Sequence, residues 1–267
     1  MPLQKLEFRP GINKESTSYA NEGGYFSCDK VRFRSGYAEK IGGWVNQTTN
    51  TFKGMCHTMW NWITFGGNNL LAVGTNTKYY VENSGTYHDI TPLAYSGTIA
   101  SNPFSTTNGS LLVTVTHSGH ASTIGTYVTF SNVSNSGVIN GINFDGEFQI
   151  VGLPTSNTYQ IVAPNAATST GSGGGSLVIA QLEIEAGLPT YYGGVGWGMP
   201  PWGSGAWGSA LPSGTEGRLW SQDNFTEDLI FNYRRGPIYY WPLDLANYAR
   251  ARLLSDIANE TVRATTT

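Results

Sequence analysis

Cysteine is nearly absent from this chain. The 267 residues hold two, Cys28 and Cys56. That is too few for a disulfide framework, and they have no metal-ligand spacing, so both are expected to be plain core or surface thiols. Charge is scarce too: Asp, Glu, Lys and Arg make up 12%, where about a quarter is usual. One sign is missing altogether from the middle. Between Lys78 and Arg218 there is no Lys or Arg, while Glu82, Asp89, Asp145, Glu147, Glu183, Glu185 and Glu216 all fall there. Gripping a nucleic-acid backbone takes clustered Lys and Arg to release counterions, and this stretch has none to offer. No apolar run approaches the roughly 18 residues of a membrane span. The opening MPLQKLEFRPG carries Lys5, Glu7 and Arg9 and lacks the apolar core of a secretory signal. The expectation is a soluble protein made in a cytoplasm, with no membrane anchor.

Catalytic signatures are missing as well. No Gly-x-Ser-x-Gly elbow occurs. His117 and His120 follow a strand and flank Ser118-Gly119, which reads as a turn; only Asp145 and Glu147 lie near in sequence as further ligands, so no metal site is expected. Gly171-Ser-Gly-Gly-Gly-Ser176 lacks the following helix and the Lys of a phosphate cradle, and reads as a flexible hairpin tip or linker. Glu183 and Glu185, at i and i+2, would share a strand face about 7 Å apart, the order of separation a glycosidase needs. Solvated strand-face charges are the plainer reading. Asp89, beside His88, is expected to cap the turn before Thr91-Pro92. The residues predict no catalytic group, no cofactor and no enzyme.

What is present points to strands. Glycine is 34 of 267, and Ser, Thr, Asn and Tyr are abundant, which suits short strands and tight turns and is poor for helices. The 39% hydrophobic content is enough for a packed core. A unit occurs twice. Trp60, Phe65, Leu70, Leu71, Val73, Tyr79 and Tyr80 reappear 160 residues later as Trp220, Phe225, Ile230, Phe231, Tyr233, Tyr239 and Tyr240. Within 57–92, turn signals every eight or so residues separate strands near 58–65, 70–74, 78–82 and 86–90. That is a four-stranded antiparallel meander, the unit of a β-propeller. The predicted fold is all-β: propeller-type antiparallel blades, partial in this chain, with an inserted small β-barrel or sandwich module. Residues 1–96 form a lead-in and first blade, 97–183 the insert, and 184–267 a Gly/Trp-rich loop and second blade. In the lead-in, Lys30, Arg32 and Arg34 alternate with Val31 and Phe33 as in a half-buried strand. Strands in the insert are expected over 111–116, 126–130, 147–151, 158–163 and 177–183, and a short helix near 248–257.

Trp197, Trp202 and Trp207 stand five apart in the Gly-rich loop, each followed by Gly. Their indoles either pack back on the blade, anchor a partner surface, or stack on sugars; they are the candidate interface residues.

Several segments resemble one phage family. Leu3-x-Lys-Leu-x-Phe-x-Pro-Gly-Ile-Asn13, Glu22-Gly-Gly-Tyr25, Asp29-Lys-Val-Arg-Phe-Arg34 and Glu39-Lys-Ile-Gly-Gly-Trp44 are similar to the start of the tail nozzle or hub proteins of short-tailed phages, also called tail tubular protein B or packaged-DNA stabilisation protein. The loop 191–208, Arg218-Leu-Trp-Ser-x-Asp-Asn-Phe-x-Glu-Asp-Leu-Ile230 and Gly236-Pro-Ile-Tyr-Tyr-Trp241 fit the same family, in patches over nearly the whole chain. The resemblance implies a propeller-bearing virion protein in a six-fold ring. That ring would contact a tail adaptor and hold fibres or spikes, and it would pass double-stranded DNA without binding it tightly. Family members are usually longer, and two blades are fewer than a propeller needs. The alternatives are a tail receptor or glycan-binding protein using the three Trp residues, and a polysaccharide-degrading tail enzyme using Glu183 and Glu185.

Overall fold

The computed structural model describes residues 8–15, 17, 19–43, 45–46, 48–188 and 217–258. Among these the chain is all-β, and every strand pairing within its sheets is antiparallel. No helix among them is long and apolar enough to cross a membrane. The chain divides into two compact units, residues 1–49 and 50–267.

In the first unit, β1 (Val31–Arg34) pairs with β2 (Tyr37–Lys40) across a Ser35-Gly36 turn. Both turn residues have positive φ, 51° and 84°. The expected alternation holds: Val31 and Phe33 are half-buried, Arg32 and Arg34 exposed.

The second unit opens with a meander of β3 (Cys56–Ile63), β4 (Asn69–Thr75), β5 (Tyr79–Asn83) and β6 (Thr86–Asp89), paired in chain order. Next come β7 (Leu93–Thr98), β8 (Phe104–Thr106), β9 (Leu112–Thr116), β10 (Tyr127–Ser131), the small hairpin β11 (Val138–Ile139) and β12 (Ile142–Asn143), β13 (Gly146–Thr155), β14 (Thr158–Val162), β15 (Gly171–Gly173) and β16 (Ile179–Glu183). All but the hairpin join one eight-stranded sheet in the order β15-β8-β9-β14-β13-β10-β16-β7. The sheet curls at β13. Its first half pairs with β10, its second half with β14, and register shifts on either side of Gly152 bend it between the two. The concave side closes over its own core, where Phe104 stacks on Phe144 at 4.1 Å. The predicted barrel or sandwich is therefore a curled half-barrel. Gly171–Gly173, read from the sequence as part of a flexible tip, is an edge strand paired to β8.

The second meander is β17 (Trp220–Phe225), β18 (Asp228–Tyr233), β19 (Ile238–Trp241) and β20 (Arg252–Leu253). The helix expected near 248–257 forms only at its C-terminal end. The Ala251 N–H donates to Ile90 O (3.0 Å) and Trp241 Nε1 to Ala249 O (2.9 Å), which hold this segment extended, and only 254–258 is helical.

Both meanders share one core. Trp62, Leu70, Ala72, Tyr79 and Val81 of the first pack against Trp220, Leu229, Phe231, Tyr239 and Trp241 of the second. Tyr79 stacks on Phe231 at 4.0 Å and meets Trp220 edge-on at 4.9 Å. The first strands run side by side in the same direction: Thr58 Oγ1 donates to Gln222 Oε1 (3.3 Å), Trp60 Nε1 to Asn224 Oδ1 (2.6 Å) and Trp62 Nε1 to Glu227 O (3.1 Å). At the other end, the bond from Ala251 to Ile90 joins the start of β20 to the end of β6. Two meanders laid first strand on first and last on last must turn opposite faces to each other, so the front of one meets the back of the next. The repeat carries the mark of this. Leu70 is in the shared core while its counterpart Ile230 faces away; Leu71 faces away while its counterpart Phe231 is in the core. Outside β4 and β18 the ungapped match drifts. The first connection spans residues 64–68 in one meander and only 226–227 in the other, so Trp60 pairs with Ala72 but Trp220 with Tyr233, the counterpart of Val73.

Candidate functional site

The densest polar chemistry among the described residues lies where the first meander, the curled sheet and the segment before β20 meet. Lys78 ends the turn after β4. Thr75 Oγ1 accepts the Lys78 N–H (2.8 Å) and donates to Lys78 O (2.9 Å), which fixes where the side chain leaves the backbone. That side chain is only 1% exposed. Its ammonium donates to Asp89 Oδ2 (2.6 Å), Glu183 Oε1 (2.7 Å) and Glu147 Oε1. Arg250 Nη1 donates to Asp89 Oδ1 (2.6 Å), Glu183 Oε1 (2.9 Å) and Thr91 O (3.3 Å). Lys53 pairs with Glu147 Oε2, and the Tyr127 ring lies under both lysines, 4.8 Å from Lys53 Nζ and 4.7 Å from Lys78 Nζ. Asp89 also accepts the Thr91 N–H (3.0 Å), so it caps the turn as expected while serving the cluster.

Three carboxylates thus face three cations. Burial alone would lower the Lys78 pKa, but Glu183, Asp89 and Glu147 together hold it above its ordinary value. Burial would raise Asp89 and Glu147; Arg250 and Lys78 outweigh it at Asp89, and Lys78 and Lys53 at Glu147, so both sit below the usual carboxylate range. Glu183 is the exception. Burial, then Asp89, push it up to about 7 against the pull of Lys78 and Arg250. Its Oε2 is buried without a hydrogen-bond partner.

The Asp89, Glu147 and Glu183 oxygens lie within 4.8 Å of one another, close enough to hold an ion. The Lys78 ammonium already stands among them and supplies the positive charge a metal would bring. A carboxyl poised near 7 also suits a general acid, yet Glu183 is 1% exposed and bonded to two cations of its own chain. The arrangement is an internal clamp. It draws Lys53, Lys78 and Arg250 from outside the curled sheet onto Glu147 and Glu183 within it.

Glu183 and Glu185 do not form the face-sharing pair that their spacing predicts. A register shift precedes Glu183, β16 ends there, and Glu185 is exposed beyond the strand. Glu185 instead lines an open cleft of about 550 Å³ with Tyr233, Tyr239, Arg250, Arg252 and Asp256. His117 and His120 are both buried, their rings 6.2 Å apart. The His120 nitrogens engage Ser122 Oγ (2.7 Å) and Thr155 O (3.3 Å), and burial, then His120, lower the His117 pKa to about 4. His117 is a neutral core histidine, and His120 is packed beside it. Cys28 and Cys56 are free and half-buried. Trp197, Trp202 and Trp207 lie outside the described residues.

Reading residue by residue did not anticipate the clamp. Its signal was the gap in positive charge: a long acidic stretch bounded by Lys78 needs its counter-charges from the flanks once those acids are buried.

No protein-family model and no curated protein matches the chain. Among solved structures it is similar to the phage phi92 endosialidase, at 15% identity and a TM-score of 0.31, over 75% of this chain and 28% of that one. The likeness to that phage protein is distant, the chain spans little more than a quarter of its length, and at this TM-score it carries no argument about fold or chemistry.

Proposed function

We propose that this chain is a structural virion protein, a tail nozzle subunit of a short-tailed phage, which works by assembly and not by turnover. The observation that carries the reading is the front-to-back stacking of two copies of one meander, the relation between neighbouring blades of a β-propeller. The sequence segments that resemble the nozzle family support it. The closed charge cluster supports it too, because its acids and bases are spent on each other. In this reading the subunit joins a homo-oligomeric ring, six-fold by the resemblance, contacts an adaptor above, carries fibres or spikes, and lets duplex DNA pass without gripping it. Cryo-electron microscopy of intact virions, with the chain located by a tag, tests this. Density for a ring at the end of the tail channel is the expected result; absence of the chain from purified virions would end the reading.

The cleft beside Glu185 favours a second reading, glycan binding, since two tyrosines and several charged side chains meet there. Saturable binding of a host-surface polysaccharide that is lost in Tyr233→Ala would move it to first place.

A further inference from the structure

A front-to-back stack of two units does not close on itself. If the front of the first meander meets the back of the second, the back of the first and the front of the second are left over, and they are the same kind of complementary pair. Both leftover faces are partly apolar. On the back of the first meander, Phe52 covers Tyr80 and the charge cluster covers the β5–β6 end. The β3 strip stays open: Met59 and Ile63 are exposed, Ile63 at 68%, with Met55 and Phe65 exposed beside them. On the front of the second meander, Phe225 and Ile238 are exposed, Ile238 at 48%, and Ile230 and Tyr240 between them are half-buried.

We propose that these two faces are halves of one joint, and that a second copy of this chain occupies each. The Met59/Ile63 strip of one copy would seat on the Phe225/Ile238 face of the next, continuing the stacking already made inside the chain. The occupant is argued from continuity with that internal interface: the same unit, in the same orientation, displaced one further step. Such a joint is head-to-tail, so it propagates into a ring or a filament and cannot stop at a symmetric dimer. The inference rests on the assembly reading and names the surface it would use.

Sedimentation velocity on the full chain tests it. The wild-type chain should associate at concentrations of roughly 100 μM or below, the range of a modest interface. Met59→Glu/Ile63→Glu and Phe225→Glu should each be monomeric with unchanged melting temperatures. An equimolar mixture of the two should form a dimer that grows no further, because each variant keeps the face the other has lost. If a variant melts early, Ile63→Cys and Phe225→Cys in a Cys28→Ser/Cys56→Ser background replace them, with a disulfide expected only in the mixed sample, because β3 over β17 brings these two positions together. A wild-type monomer, or a Phe225→Glu variant that pairs as well as wild type, would overturn the proposal. Association that ignores both faces would overturn it while leaving the virion reading intact, and a chain absent from virions would do the reverse.

Discussion

Lys78 is the residue on which most depends. It is a cation buried beyond the reach of water, and its charge is tolerable only because three carboxylates surround it. Removing one partner of such a group leaves the rest unbalanced, which costs about 3–5 kcal/mol. Lys78→Met should therefore lower the free energy of unfolding by about that much, read from urea denaturation. Asp89→Asn should follow in the same direction with a smaller loss, because Arg250 and Lys78 keep Glu183. The cluster also sets a pH dependence whose two halves oppose each other. Asp89 and Glu147 have depressed pKa values, so their stabilisation is present above the unfolded values near about 4 and is lost as pH falls through the folded ones. Glu183 is raised to about 7, so its contribution is complete below its unfolded pKa and is lost as pH rises through about 7. Denaturation midpoints should fall as pH rises from about 5 to about 7 and level off above that, and Glu183→Gln should flatten that fall. A slope in that window unaltered by the substitution would assign it to another group.

Among elements, β4 and β17 approach each other closely at one point. Trp220 lies against Gly74 and donates its Nε1 to Thr75 O (2.7 Å). A Cβ at Gly74 would stand 2.6 Å from Trp220 Cδ1 and 2.6 Å from Thr58 Oγ1. Gly74→Val should push the meanders apart and lose about 1–3 kcal/mol, as overpacked cores do. Trp220→Ala should lose more, about 3–5 kcal/mol, because the indole fills the space between the sheets. Equal melting temperatures for Gly74→Val and wild type would show that the sheets are not held this closely. Much of this layer was legible in advance. Strand positions in both meanders follow from alternation and from turns such as Gly66–Asn69, and the repeat announced itself in Tyr79 and Tyr239. The one-residue drift at Trp60 was hidden, because it arises from loop length and not from residue type. β15 was hidden for another reason: Gly-Ser-Gly carries no strand signal of its own, and only pairing to β8 makes it a strand. Arg252–Leu253 was lost to a helical reading since its extended shape is imposed by Ile90 and Trp241.

For the whole molecule, the distribution of charge has a different meaning from the one it suggests in the sequence. A run of acids without bases looks like a repelling surface. Three of the seven, Asp89, Glu147 and Glu183, are turned inward and matched by Lys53, Lys78 and Arg250. The clamp joins segments that no local pattern could have related, and for that reason the site was the least legible part of the chain.

The shared core has a consequence in time. It draws on residues from Trp62 to Ala251, so the first meander waits for its partner until nearly all of the described chain has left the ribosome. The curled sheet is built wholly from residues 93–183 and encloses its own core, so it is complete long before. Synthesis is vectorial, and contacts distant in sequence form late. During that interval β3 and β4 are made but unpartnered, with Trp62 and Leu70 in water beside a finished neighbour. This is the window in which a nascent chain is open to chaperone capture, and the one in which two chains on one message could pair the wrong meanders.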